Sequence, residues 1–149
     1  MTVLGPIAPS QLGFTQIHEH LVCNLKRASH RLDGLMNNEP LITAELATFK
    51  QAGGQSIADL TNNGMGRDPA AMRRIALAIG VNVVAGCGWY RQLHYDERVD
   101  RTSTNELARE MVLDLTVGMD GTDIRAGIIG EIGTEEDYLT AAEERKLSS

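Results

Sequence analysis

The stretch from residue 55 to residue 85 decides the fold, because it has the pattern of a strand, a helix and a second strand. It opens with Gln55-Ser-Ile-Ala-Asp-Leu60 and closes with the valine-rich run Val81-Asn-Val-Val-Ala85. Between them, Asp68-Pro69 offers an N-cap residue followed by proline at the first helical position. The helix that follows is expected to bury Met72, Ile75, Ala76 and Ile79. Two strands joined by a crossover helix predict parallel pairing with a right-handed connection.

The same alternation is present before this stretch. Phe14 to Leu21 is strand-like, and residues 41 to 52 have helical spacing. Ile42, Leu46 and Phe49 are separated by spacings of four and three residues, so they share one face of that helix. We therefore predict a first strand and a first helix that pack in the order required for a βα unit.

The alternation also continues after residue 85. A longer loop is predicted over residues 89 to 101, followed by a helix that begins at a capping box formed by Ser103 and Glu106. Residues 125 to 132 are predicted to form a fourth apolar strand, and Thr140 with Glu143 forms a second capping box at the start of a further helix. The predicted buried face of the first of these helices consists of Leu107, Met111 and Leu115.

Four strands that alternate with helices allow two α/β architectures, a small open sheet or part of a barrel. Periodicity does not choose between them. A complete (β/α)₈ TIM barrel requires about 250 residues, whereas this chain has 149 and would supply about four βα units. If the barrel is correct, residues 1–149 are its N-terminal half, in one domain, and the remainder of the barrel is absent from this chain.

Composition narrows the class of partner. The net charge of -6 and the sequence pI near 5.1 argue against nucleic acid and against an anionic membrane surface, which both require a basic face. Cys23 and Cys87 lack the spacing of a zinc knuckle or a disulfide framework. Since no stretch is typical of a signal peptide or a membrane span, we expect a soluble cytoplasmic protein with a small-molecule substrate.

His18-Glu19-His20 lies at the end of the first predicted strand. Because side chains alternate along a strand, His18 and His20 should point to the same side while Glu19 points away. Two imidazoles on one side could share a metal ion, although a pair of hydrogen-bonded core histidines is the structural alternative.

Glu131 interrupts the otherwise apolar segment Ala126-Gly-Ile-Ile-Gly-Glu-Ile-Gly133. It falls at the C-terminal end of the fourth predicted strand, where barrel enzymes carry their catalytic groups. A buried carboxylate needs a cation, which could be a lysine or arginine across the barrel or a metal ion. Taken with the two histidines, Glu131 favours the metal.

Other polar and aromatic residues carry weaker signals. Asp59 and Arg67-Asp68 follow the second strand and are interpreted as helix caps and loop ion pairs. Tyr90 follows the third strand and could line the mouth of a pocket or simply pack. His30 and His94 lack partners at a ligand spacing and are interpreted as loop histidines.

Six sequence blocks together resemble the phosphotriesterase family of the amidohydrolase superfamily, and they run along essentially the whole chain. The blocks are Gly5-Pro-Ile7, Leu12-Gly-Phe-Thr15, His18-Glu-His-Leu21, Gly66-Arg-Asp68, Val83-Val-Ala85 and Ala126-Gly-Ile-Ile129. The His-Glu-His-Leu block is specific only in combination with the others, because an H-x-H pair also occurs in other amidohydrolases.

The resemblance implies a TIM barrel with a binuclear metal centre at its C-terminal mouth. His18 and His20 would bind one metal ion, Glu131 would bridge both, and Tyr90 would contact the substrate. The best-known members carry a carboxylated lysine at the bridging position, whereas a glutamate there is similar to the phosphotriesterase homology proteins. Zinc is the default for such a pair of divalent ions, with Mn²⁺, Co²⁺ and Fe²⁺ also compatible.

The function implied by this resemblance is hydrolysis of a small ester, lactone or phosphotriester by a metal-bridging hydroxide in the intact enzyme. The family's remaining ligands follow strands five, six and eight, so they would be absent from this chain, and the chain alone is expected to be inactive. One alternative is a non-catalytic truncated half-barrel or subunit that needs a complementing chain. Another is a small open α/β binding domain with structural histidines, and a homodimer is also left open.

Overall fold

The computed structural model describes residues 1–26, 32–95, 97–135 and 137–149. His30, interpreted above as a loop histidine, lies outside these residues. Within them, no helix is both long enough and apolar enough to cross a membrane.

A curled parallel sheet forms the centre of the fold. The strands of the protein are β1 (Thr15–Glu19), β2 (Cys23–Asn24), β3 (Leu35–Met36), β4 (Ser56–Asp59), β5 (Asn82–Cys87) and β6 (Ile128–Ile129). Four of them form the curled sheet in the order β1, β4, β5 and β6, and all three pairings are parallel. The other two, β2 and β3, form a short antiparallel pair that lies between β1 and the first helix in the sequence.

Helices connect the strands of the main sheet. They are α1 (Glu39–Gln51), α2 (Pro69–Ile79), α3 (Glu97–Arg101), α4 (Thr104–Thr116) and α5 (Ala141–Leu147), with short 3₁₀ turns at Pro9–Gln11 and Leu32–Gly34. The predicted helix starts are confirmed. Asp68 accepts a hydrogen bond from the Ala71 backbone N–H at 2.9 Å, and both predicted capping boxes are present.

The core lies between the helices and the sheet. Met72, Ile75 and Ala76 on α2 are buried as predicted, and Ile79 is partly buried at the end of the same helix. The predicted faces of α1 and α4 also turn inward. The strands opposite them contribute small and branched side chains, including Ile57, Val83 and Ala85. The helical spacing read from the sequence therefore identifies the buried side of each long helix.

Two predictions about the chain after β5 are wrong in extent. The expected strand over residues 125 to 132 is reduced to Ile128–Ile129, because only these two residues pair with Gly86 and Cys87 of β5. The expected loop over residues 89 to 101 contains α3, whose Val99 is buried. The length of a strand depends on its partner strand, and a five-residue helix is stable only when it packs against other residues. Local periodicity therefore predicts neither the short extent of β6 nor the presence of α3.

The strands at the two sides of the sheet differ from those inside it. In the described part of the chain, β1 pairs with β4 and β6 pairs with β5, so each outer strand has one open edge. Phe14 and Ile17 near one open edge are 70% and 77% exposed. The same order of βα units is what half of a (β/α)₈ barrel would provide.

Candidate metal centre

The end of β1 places both histidines of the His18-Glu19-His20 motif beside the carboxylate of Glu131. The Nε2 atom of His18 lies 3.3 Å from Oε2 of Glu131, and the Nε2 atom of His20 lies 3.5 Å from Oε1. Glu19 instead accepts a hydrogen bond from the Gln16 side chain at 3.2 Å. The structure therefore brings together the three side chains that the sequence singled out as metal ligands.

Glu131 reaches the histidines because the chain after β6 crosses over β5 towards the end of β4. The Glu131 backbone N–H donates to the Leu60 carbonyl at the end of β4, at 3.3 Å, although β5 lies between β4 and β6 in the sheet. Gly86 of β5 permits this crossing, since a Cβ atom at that residue would lie 2.2 Å from the Gly130 carbonyl oxygen. Any side chain at position 86 would displace the segment that carries Glu131.

The geometry of the three groups fits a divalent metal ion. One nitrogen from each histidine and one Glu131 oxygen all lie within 4.8 Å of one another. Tetrahedral coordination with bonds of about 2.0 to 2.2 Å separates ligand atoms by roughly 3.3 to 3.6 Å, and the two histidine to glutamate distances fall in that range. The Glu131 side chain is 18% exposed, so a ligand could reach it from solvent.

The segment that follows β4 supports His20 and the chain next to it. Asp59 is fully buried and accepts backbone hydrogen bonds from Leu21 at 2.7 Å and from Thr61 at 2.8 Å. The Thr61 hydroxyl lies 3.0 Å from Nδ1 of His20. Burial raises the pKa of the Asp59 carboxyl, and these hydrogen bonds and the nearby His20 oppose that rise.

The same segment also holds Glu131. The buried Asn62 side chain donates to the Glu131 carbonyl at 2.5 Å. The backbone of Leu60 joins the two segments. Its N–H donates to the Glu19 carbonyl at 2.9 Å, and its carbonyl accepts from the Glu131 N–H. Residues 59 to 62, here named the β4 terminus, therefore contact both chain segments that supply the candidate ligands.

Tyr90 lies beside the centre and does not belong to the three-residue cluster. Its ring contacts the His94 ring with 5.1 Å between centroids, and it packs so closely on Gly133 that a Cβ there would lie 2.4 Å from Tyr90. Burial lowers the pKa of His94, while Glu131 acts in the opposite direction. His94 is therefore within electrostatic reach of the centre.

Arg67 has the structural role that was expected for it. Its side chain is 3% exposed and forms ion pairs with Asp114 at 2.9 Å and Asp120 at 2.8 Å. It also donates to the Gly86 carbonyl at 3.3 Å. These contacts tie the loop after β4 to β5, to α4 and to the turn that precedes β6.

Sequence reasoning did not identify Thr61 and Asn62, and it gave His94 no role near the metal centre. No fixed spacing connects any of them to His20 or Glu131, since Thr61 is 41 residues from His20 and Asn62 is 69 residues from Glu131. A usable signal was present in the polar run Thr61-Asn-Asn63 directly after a buried strand, because polar groups there face the C-terminal end of a parallel sheet.

The family model for the phosphotriesterase family matches residues 1–149. The chain is 37% identical over 133 residues to the phosphotriesterase homology protein of Escherichia coli, which covers 89% of the chain and 46% of that protein. It is 32% identical over 178 residues to N-acetyltaurine hydrolase of Danio rerio, covering 99% of the chain and 51% of the relative. The chain thus spans about half the length of the curated relatives it matches.

Solved structures agree with this assignment. A lactonase from Listeria monocytogenes superposes with a TM-score of 0.90 at 27% identity, covering 98% of this chain and 50% of that one. The relatives are TIM barrels of which the chain matches about half. The prediction of a half-barrel sheet with about four βα units is therefore confirmed.

Proposed function

This chain belongs to the phosphotriesterase family, and we propose that residues 1–149 form the N-terminal half of a metal-dependent hydrolase whose remaining ligands lie in a second half-barrel. His18, His20 and Glu131 are the proposed metal ligands, and Glu131 is the proposed bridge between two divalent ions. Zinc is the proposed default. The observation that carries the proposal is the convergence of these three side chains from the two outer strands of the sheet.

Chemistry at this centre requires a group that activates water and a place for the substrate. When bound, divalent ions polarise a carbonyl or phosphoryl oxygen and lower the pKa of water. His18 and His20 would supply neutral nitrogens and Glu131 a negative charge that offsets the charge of the cations. Tyr90, beside Gly133 and His94, would bound the substrate on the side of β5 and β6.

The proposed substrates are small molecules with a hydrolysable acyl or phosphoryl group. Relatives named as a lactonase and as an N-acetyltaurine hydrolase support testing lactones and N-acetyl amides together with carboxylic esters and phosphotriesters. The cleaved bond differs among these classes, but each presents an oxygen that a metal ion can polarise. The residues that select among them are expected in the second half-barrel as well as around Tyr90.

Metal content of the purified 149-residue chain tests the proposed ligands. The chain, its His18→Ala/His20→Ala double variant and a His94→Ala control would be prepared without chelators and measured by elemental analysis after equilibration with zinc. We expect zinc in the chain and in the control, and its loss in the double variant, which retains one of three ligands. Equal zinc in all three proteins would show that the histidines are not ligands.

A second candidate is a non-catalytic half-barrel that needs a complementing chain. The exposed apolar side chains at the open edge of β1 favour it, because open sheet edges and exposed apolar patches are typical of surfaces that bind a partner. Both candidates predict bound zinc without turnover from the isolated chain, so lactone, ester, amide and phosphotriester assays on it, with and without a chelator, test that shared expectation, and turnover abolished by the chelator would contradict it. The encoding gene beyond codon 149 separates the two candidates, because further in-frame histidines and an aspartate would support the hydrolase and a stop codon would support the second candidate.

A further inference from the structure

We infer that Lys146 is a positioning residue that holds the loop carrying Tyr90 against the segment that leads away from Glu131. The inference rests on the proposed function, in which Tyr90 bounds the substrate. It is carried by two hydrogen bonds from one buried ammonium group, because the Lys146 side chain donates to the backbone carbonyls of Tyr90 and Gly133. Lys146 would act through these backbone groups and is not among the proposed metal ligands.

The two carbonyls that accept from Lys146 belong to different parts of the chain. Tyr90 follows β5, whereas Gly133 follows β6 and lies two residues after Glu131. The Tyr90 ring packs directly on Gly133, where an added Cβ atom would lie 2.4 Å from the ring. An ammonium group has hydrogens to donate and no acceptor, so the direction of both hydrogen bonds is fixed. Lys146 therefore joins the backbones of the same two residues that are in contact through the ring.

Helix α5, which carries Lys146, is itself attached to the segment after β6. Glu143 lies one turn before Lys146 and is fully buried. Its carboxylate accepts hydrogen bonds from the backbone N–H groups of Glu135 and Thr140, each at 3.0 Å. The first of these bonds holds the chain two residues beyond Gly133. The start of α5 is therefore fixed beside the segment, and Lys146 extends from it to the Tyr90 loop.

A buried lysine is unfavourable unless its donors are used. Lys146 is 3% exposed, and burial lowers the pKa of its ammonium group, while Glu143 and Glu135 act in the opposite direction. Its Nζ atom also lies 5.6 Å from the centre of the Tyr95 ring, within the range of a cation–π contact. An apolar side chain of similar length would fill the same space without removing a charge from water. The two carbonyl contacts, which an apolar side chain cannot make, therefore account for a lysine here.

The contacts are tested first by NMR on the metal-free, unaltered 149-residue chain, labelled with carbon-13 and nitrogen-15. At about pH 6, well below the ordinary lysine pKa of 10.5, the ammonium form is observed. We expect nuclear Overhauser effects from the Lys146 ammonium hydrogens to the Hα hydrogens of Tyr90 and Gly133, and from the Tyr90 ring to Gly133. Ammonium hydrogens that exchange too rapidly to be detected, or that show neither contact, would overturn the inference.

Lys146→Met tests whether the ammonium group positions Tyr90, because methionine keeps an unbranched side chain and removes the donors. We expect the nuclear Overhauser effect between the Tyr90 ring and Gly133 to be lost in this variant, judged against the Hδ–Hε signal of the same ring. Lys50→Met is the matched control, since exposed Lys50 also donates to a carbonyl, that of Gly80, at 2.6 Å, and it should keep the signal. Circular dichroism checks that both variants are folded.

These measurements need no metal ion, so they separate the inference from the proposed function. If the unaltered chain fails to bind zinc, the proposed metal centre fails, and NMR still decides the role of Lys146. If the unaltered chain binds zinc and folded Lys146→Met keeps the Tyr90 signal, the role of Lys146 is overturned and the metal centre stands. If Lys146→Met does not fold, the unaltered chain decides: ammonium contacts with both Tyr90 and Gly133 support the inference, and their absence overturns it.

Discussion

The two inner strands of the sheet and the two outer strands differ in both packing and chemistry. β4 and β5 have partners on both sides, and most of their residues are buried. Within the described residues, β1 and β6 have one open edge each and expose most of their residues. The three proposed metal ligands nevertheless lie on or just beyond the outer strands. The comparison suggests that the inner strands supply stability and the outer strands supply ligands, with the β4 terminus joining the two.

The largest loss of stability is expected at Arg67, whose contacts tie the loop after β4 to β5. Arg67→Met removes the partner of Asp114 and the contact with the Gly86 carbonyl. Breaking one side of a buried ion pair costs about 3 to 5 kcal/mol, which urea denaturation would measure. Arg101→Met is the matched control, because Arg101 is 83% exposed and pairs with Glu97 at 4.0 Å, so its loss should be at most about 1 kcal/mol. Equal losses would contradict the assigned role of Arg67.

A second prediction compares one isoleucine from each kind of strand. Ile57 of β4 is 1% exposed, whereas Ile17 of β1 is 77% exposed. Ile57→Ala should lower the free energy of unfolding by about 2 to 5 kcal/mol, and Ile17→Ala by less than about 0.5 kcal/mol. Urea denaturation of both variants measures the difference. A large loss from Ile17→Ala would show that the open edge is covered in solution, for example by a second chain.

The inner strands are also the part that sequence reasoning predicts well. The valine-rich β5 and the Asp68-Pro69 helix start are local patterns, so their positions follow from nearby residues. The H-x-H motif and the glutamate in an apolar run likewise identify three ligand candidates from local chemistry. The length of β6 could not be predicted from nearby residues, because it depends on contacts distant in sequence. β6 pairs with Gly86 and Cys87 of β5 and ends where the chain crosses over Gly86.

The third prediction concerns the β4 terminus. Asn62→Ala removes the donor to the Glu131 carbonyl, and the loss of a buried hydrogen bond should cost about 1 to 3 kcal/mol. Zinc affinity should also fall, since Glu131 loses a contact that holds its backbone. Asn63→Ala alters the neighbouring, partly buried asparagine and serves as the control for chelator competition and urea denaturation. If Asn62→Ala bound zinc as tightly as that control, support of Glu131 by the inner strand would be excluded.

The smallest loss of stability is expected at the start of α4, which is distant in sequence from the proposed metal ligands. Hydrogen bonds from the Ser103 side chain and backbone lower the pKa of Glu106 from its ordinary value of 4.5. The ionised form is therefore favoured in the folded state, and its contribution is present above pH 4.5 and lost as the pH falls through the lowered pKa. Glu106→Gln should lower Tm slightly at pH 7 and less at pH 3, measured by thermal denaturation. Exposed Glu45→Gln is the control, and an equal difference at both pH values would contradict the prediction.

The bare backbone of Gly86 has a consequence for natural variation. An alanine at this position would look conservative in a buried strand, and it would add a single methyl group. That methyl group would occupy the space of the Gly130 carbonyl oxygen, which lies 2.2 Å from an ideal Cβ position. Glycine at residue 86 can therefore serve as a diagnostic character: sequences that keep the histidines and the glutamate but replace this glycine are expected to have lost the architecture that brings them together.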